Sequence, residues 1–132
     1  MLKEINIRTS TRDEMIDITG QVQRMISQAE VIEGLVVVYV AHTTAGLTIN
    51  ENADPDVVKD LLRRLDENFP WQVAADRHRE GNSAAHLKAS VVGASQTLLI
   101  HNGRLRLGRW QGLYLCEFDG PRTRTCHVKI LK

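Results

Sequence analysis

The run Leu35-Val36-Val37-Val38-Tyr39-Val40 constrains this chain more than any other stretch. β-branched side chains are stiff at χ1 and sit well on a pleated surface, so consecutive valines favour a strand over a helix. With no polar alternation, the run predicts a strand covered on both faces. Such a strand needs layers on either side of it, and the rest of the sequence offers them. Val22, Met25, Ile26 and Ala29 recur at helical spacing, which predicts an amphipathic helix over about 20–30 with Thr19 as its N-cap. Asp54-Pro55 is a helix start, an acidic cap followed by proline at the first helical position. Val57, Val58, Leu61, Leu62 and Leu65 carry that helix to about Asn68, and Pro70 ends it. Ala84–Val92 predicts a short helix capped by Asn82 or Ser83 and stopped by Gly93; a buried strand over Leu87–Val92 is the competing assignment.

Strands fill the remainder. Residues 2–9 alternate partially through Leu2, Ile5 and Ile7, and Met15–Ile18 is extended as well. Gly46–Asn50 is a short second strand after the polar loop Ala41–Ala45. Near the C-terminus, Thr97–Ile100 runs into Asn102-Gly103, a hairpin turn signal. Leu113–Phe118 and Thr125–Ile130 then flank a turn at Asp119–Arg122. The expected class is α+β: one compact domain over 1–132, mostly antiparallel sheet with a β-meander, and two or three helices.

Composition narrows the partners. Seventeen basic residues against sixteen acidic ones leave a formal net charge of +1, so no electrostatic field argues for DNA or RNA. The cluster Arg122-Thr123-Arg124 reads as the solvated face of a strand. No apolar run approaches a membrane span, and the N-terminus lacks a signal-peptide core, so a cytoplasmic location and no membrane partner are expected. Cys116 and Cys126 lie in apolar strand-like runs. They are possible neighbours across a hairpin, and reduced, buried thiols are the expectation.

Three segments concentrate groups suited to ligands. The first joins His42-Thr43-Thr44 to Asn50-Glu51-Asn52-Ala53-Asp54. Here His42 suits a metal ligand or proton carrier and the threonine hydroxyls suit phosphate oxygens; equally, His42 closes a turn while Asn50 and Asp54 cap the next helix. The second holds His78, Asn82, His86 and Lys88. Neutral imidazoles are common ligands of divalent transition metals, and an ammonium holds phosphate as a point charge. The third is Gly108-Arg109-Trp110-Gln111. Trp110 is either a stacking platform beside Gln111 or a core plug. His101 and His127 adjoin apolar strands and are expected to have packing or surface roles.

Taken together, the strings His42–Pro55, Glu80-Gly81-Asn82, His86-Leu87-Lys88-Ala89-Ser90, Gly108–Gly112 and Glu117–Arg122 resemble the YjbQ-like family, also called the secondary thiamine-phosphate synthase family, over about 2–131. The chain departs at Arg109, where threonine is expected, and at Gly46, where alanine or serine is usual. The resemblance implies a homotrimer and a site drawn from His42, Thr43, Thr44, Asn50, Glu51, Asp54, His78, Asn82, His86, Lys88, Trp110, Gln111 and Glu117. The implied activity joins a pyrimidine diphosphate to a thiazole phosphate. For that chemistry Lys88 and Arg109 would supply charge, Trp110 the platform, and Glu51, Asp54 or Glu117 a hold on Mg²⁺. Two other functions are consistent with the same residues. One is a metal-dependent enzyme, such as a hydrolase, with Zn²⁺ or another divalent ion on His42, His78 and His86. The other is a non-catalytic binder of a small phosphorylated or anionic metabolite.

Overall fold

The computed structural model describes residues 2–132. In chain order the elements are β1 (Leu2–Arg8), β2 (Glu14–Asp17), α1 (Thr19–Gln28), β3 (Gly34–Val40), β4 (Ala45–Glu51), α2 (Pro55–Asn68), α3 (Ser83–Val92), β5 (Ser95–His101), β6 (Arg104–Leu105), β7 (Gln111–Glu117) and β8 (Thr123–Leu131). The strands form two antiparallel sheets, ordered β1-β8-β3-β5-β6 and β2-β7-β4. The α+β class with three helices therefore holds.

The layers explain where the sequence signals were right and where they misled. The main core lies between the sheets: Val36, Val38, Val40, Leu98, Ile100 and Val128 on one side meet Leu47, Leu113 and Leu115 on the other, with Val22 and Ile26 of α1 filling the gap. Burying each such side chain stabilises by roughly 1.5–3 kcal/mol. A second core lies behind β7, where Tyr114, Cys116 and Phe118 pack against Ala85 and Ala89 of α3 and half-buried Val58, Leu62 and Leu65 of α2. The strand covered on both faces is thus β7. β3 is covered on one face only, and Leu35 and Tyr39 on its other side are exposed. The valine run fixed a strand correctly, but a β-branched run cannot itself show which layers will reach it.

The C-terminal strands do not run as a continuous meander. β5 and β6 form the hairpin at Asn102-Gly103, where both residues have positive φ. β7 then crosses to the smaller sheet and β8 returns to the larger one. Cys116 and Cys126 consequently sit in different sheets as free, buried thiols. Burial pushes the Cys116 thiol up to about 12 and Cys126 up to about 11.

Two caps differ in detail. Thr19 is the first helical residue of α1 and Ile18 the cap; the carboxylate of Asp17 accepts from the Thr19 N–H at 2.9 Å and so does the work expected of a threonine cap. Asp54 caps α2 as expected, accepting from the Asp56 N–H at 2.9 Å. The helical reading of α3 wins over the strand, with Gly93 at its end at φ +98°. Gly46 lets that end approach β4, since a Cβ there would lie 2.8 Å from the Gly93 carbonyl oxygen.

A buried ionic knot ties the helices to the β1–β2 turn. Lys88 of α3 is fully buried and donates to Asp13 at 3.0 Å and Asp66 at 2.9 Å. Arg12 bonds the same two carboxylates and lies 4.5 Å from the centroid of the Trp71 ring. Arg12 still pairs with both carboxylates when Lys88 is removed, so Lys88→Ala should lower stability by about 1.5–3 kcal/mol, the worth of its lost hydrogen bonds to charged groups. The hydrogen bond and charge of Lys88 hold the Asp66 carboxyl below its ordinary value. A lowered acid stabilises above its unfolded pKa and loses that contribution as pH falls through the folded one. The melting-temperature gap between wild type and Asp66→Asn should therefore be open at neutral pH and close on acidification below the ordinary carboxylate range. A gap independent of pH would refute the pairing.

Candidate functional site

The His42-Thr43 end of the first polar segment meets the second along α3. His86 and Ser90, one helical turn apart, face the same side and line two adjoining hollows of about 490 Å³ each. One hollow adds His42, Thr43, Gly93 and Ala94; the other adds Asp76, His78, Ser83 and Leu87. His78 meets His86 edge-to-face with ring centroids 5.3 Å apart. Ser83 and Ser90 stand roughly 10 Å apart along the helix axis, so the groove is as long as a small metabolite. A separate hollow of about 510 Å³ lies along α2, where Val57, Leu61, Leu65 and Phe69 make it mainly apolar and Asp60, Arg64 and Asn68 add polar groups.

His42 is held in a specific orientation. β3 ends at Val40, opposite Cys126 of β8, so the next β8 amide has lost its strand partner. The imidazole takes over: the Thr125 N–H donates to His42 Nε2 at 3.0 Å. A neutral imidazole that accepts through one nitrogen carries its proton on the other, so Nδ1–H remains as a donor. Burial, then the nearby Arg124 guanidinium, lowers the His42 pKa and keeps the ring neutral.

Beneath this loop lies a buried pair, Arg124 and Glu117, of which the sequence reading placed Arg124 on the surface and gave Glu117 to a metal. Arg124 is the buried member of the Arg122–Arg124 cluster; Arg122 is exposed. The Arg124 Nε donates to both Glu117 oxygens, at 2.9 and 3.1 Å, and its Nη2 also pairs with Glu117. The same Nη2 donates to the Thr44 hydroxyl at 2.7 Å and the Thr44 carbonyl at 3.2 Å. Glu117 further accepts from the Thr9 hydroxyl and the amides of Phe118 and Asp119. Its lone pairs are committed to the protein, so Glu117 does not fit the metal-holding role. Lys88, committed to two carboxylates away from solvent, does not fit the phosphate-holding role. The parity of β8 was the available signal for Arg124: it shares the inward phase of Cys126 and Val128. Ser90 was also missed, although its spacing of four from His86 places both on one helix face.

Other predicted residues lie elsewhere. Asn82 is buried at the start of α3, its amide donating to Asp119 at 2.8 Å, while its Oδ1 has no partner. The third segment stands at the far end of β4. Glu51 pairs with Gln111 and Asn50 with Gly112, whereas Ala45 pairs with Glu117 beside His42. Those two ends of the strand are roughly 20 Å apart. Trp110 is 55 % exposed, so it is no core plug, and Arg109 stacks 4.8 Å from its ring centroid. The Gln111 side-chain oxygen accepts from Gly108 N–H at 2.7 Å. Asn50 accepts from the Glu51 amide, and Asp54 serves α2. The three segments therefore do not converge in one cleft of a single chain.

Among the described residues no group of three or more His, Cys, Asp or Glu side chains assembles to hold a metal ion. His42, moreover, spends Nε2 on a backbone amide. The trio His42, His78 and His86 does not fit a metal centre within one chain.

The fold and its groove define a class: a two-sheet α+β domain with α2 and α3 stacked on the smaller sheet and a histidine- and hydroxyl-lined groove along α3. The profile of the UPF0047 protein YjbQ-like family matches residues 3–132, and the chain belongs to that family. It is 60 % identical to the UPF0047 protein YugU of Bacillus subtilis, with 99 % of each chain covered. It is 49 % identical to a UPF0047 protein of Methanocaldococcus jannaschii, covering 99 % of this chain and 94 % of that one. A crystal structure of a YjbQ/UPF0047 protein from Clostridium acetobutylicum superposes with TM-score 0.95 at 53 % identity, covering 98 % and 99 % of the two chains. Among the described residues no helix is long and apolar enough to cross a membrane.

The donor geometry predicts that Zn²⁺ or Mn²⁺ added to the metal-free protein leaves its melting temperature unchanged. A melting temperature that rises with the logarithm of ion concentration, with one ion bound per chain, would restore the three-histidine centre, because a ligand of the native state stabilises it by mass action.

Proposed function

We propose that the α3 groove binds a small phosphorylated or otherwise anionic metabolite through neutral hydrogen-bond donors. The observation that carries this reading is the bond from Thr125 N–H to His42 Nε2. It leaves Nδ1–H as the free donor of a ring that lines the groove, and donors recognise oxyanions. The Thr43 and Ser83 hydroxyls and the His86 ring line the same groove beside it, while the Ser90 hydroxyl donates to the His86 carbonyl at 2.8 Å and offers the groove an acceptor. Cations are not what the groove offers: Lys88 and Arg124 are tied to carboxylates, and Arg109 stands at the other end of β4.

That last point weighs between binding and the transferase activity that the family resemblance implies. A departing diphosphate needs cations around it, and within one chain the groove provides none. The binding reading is therefore preferred. It includes a homotrimer, supported by an exposed apolar row on the larger sheet, where Leu99, Leu35 and Leu131 lie side by side on neighbouring strands. Light scattering on the purified chain should return three times the monomer mass; a monomer would remove that part.

Inorganic phosphate should raise the melting temperature, and His42→Ala should weaken its binding by about tenfold or more, the worth of one hydrogen bond to a charged group. The pH dependence follows from the lowered His42 pKa. The unfolded chain binds a proton at about 6.5 while the folded one resists it, so stability is full above that value and falls as pH drops below it. His42→Gln keeps an acceptor for Thr125 but does not titrate, and should flatten this fall. Phosphate that neither stabilises the wild type nor distinguishes it from His42→Ala would defeat the reading.

A further inference from the structure

The buried Glu117–Arg124 pair has no contact with the groove, yet both anchors of His42 depend on it. Arg124 grips Thr44, two residues beyond His42, through hydroxyl and carbonyl at once. Its neighbour in β8, Thr125, supplies the amide that His42 accepts. Glu117 fixes the guanidinium from β7 of the other sheet, and every further polar partner of the pair is supplied by backbone or by Thr9 and Thr44. Burying two charges costs stability that an apolar pair of similar volume would not. An arrangement so complete, placed directly under the loop that begins the groove, calls for a role in the loop's geometry.

We infer that Arg124, fixed by Glu117, is the positioning residue that sets the His42 ring with Nε2 toward β8 and leaves Nδ1–H as its donor to the groove. This rests on the anion-binding reading for its consequence, though not for its structural core. The planar fork of arginine is essential: it serves both Glu117 oxygens and both Thr44 oxygens together, which a lysine ammonium on a flexible stem cannot do. The charged and titratable groups acting on the ring are Arg124, Glu117, Arg122 and His127, so the ring state reports directly on this cluster.

The test is Arg124→Lys, which keeps the charge and removes the fork. In ¹⁵N-histidine NMR the wild type should show His42 with Nδ1 protonated; the variant should show a tautomer mixture and a shifted titration. Affinity for inorganic phosphate should fall by about tenfold, the equivalent of one hydrogen bond. In the double variant with His42→Ala the loss should be no greater than for His42→Ala alone, since Arg124 acts through His42. Additive losses, or an unchanged His42 tautomer in Arg124→Lys, would overturn the inference. If Arg124→Lys does not fold, Thr44→Val removes the 2.7 Å contact alone and should move the same two readouts in the same direction; unmoved readouts there overturn it equally. Failure of wild-type protein to bind phosphate would sink the anion-binding reading, while the tautomer measurement would still decide the role of Arg124.

Discussion

The Arg124–Glu117 pair is the interaction on which one whole end of this molecule depends. Both side chains are buried, where an unpaired charge would be far too costly to keep. The pair survives because its hydrogen-bonding capacity is met from three directions: Thr9 at the end of β1, Thr44 ahead of β4, and the amides that follow β7. The consequence is geometric. Four segments far apart in sequence are fixed relative to one another at the point where the two sheets separate, and the loop carrying His42 is part of that fixture.

A second ionic knot does corresponding work behind the smaller sheet. α2 buries no residue completely, so its apolar stripe alone is a weak anchor. Lys88, Asp13, Asp66 and Arg12 join it to α3 and the β1–β2 turn, and the stack of Arg12 on Trp71 extends the hold to the segment that leads to His78. Groove and scaffold are thus fastened by two different charge clusters, one under each side. Neither cluster presents its charge to the groove.

The sequence made the elements legible because their signals are local. Asp54-Pro55, Asn102-Gly103 and the Gly93 stop each act within a few residues, and each appears in the structure as read. What it did not make legible depends on which layers meet. The valine run of β3 and the mixed run of β7 look alike as apolar strands, but only β7 receives helices on its second face. Lys88 and Glu117 look like ligand groups in a list of residues, because their partners are distant in the chain: Asp13 is 75 positions from Lys88, and Thr9 is 108 from Glu117. The same blindness made Arg124 a surface residue and merged two sets of polar groups that β4 holds at its opposite ends. The inward phase of Arg124 with Cys126 was readable; the acidic partner that makes that phase tolerable was not.

The sharing of roles within the groove follows from these placements. If the buried cations faced a ligand, anion binding would rest on charge, and any phosphate would be held strongly whatever its shape. Because they are neutralised internally, recognition in the proposed anion site would fall to the His42 donor and to hydroxyls, whose bonds are directional and individually modest. A site of that kind gains selectivity from the positions of its donors and loses it when they drift. The rigidity of the loop under His42 is then part of recognition itself, and a strand amide paired with an imidazole is a fitting way to obtain it. The bond completes the β8 ladder where β3 has stopped, so the fold and the site are stabilised by the same contact.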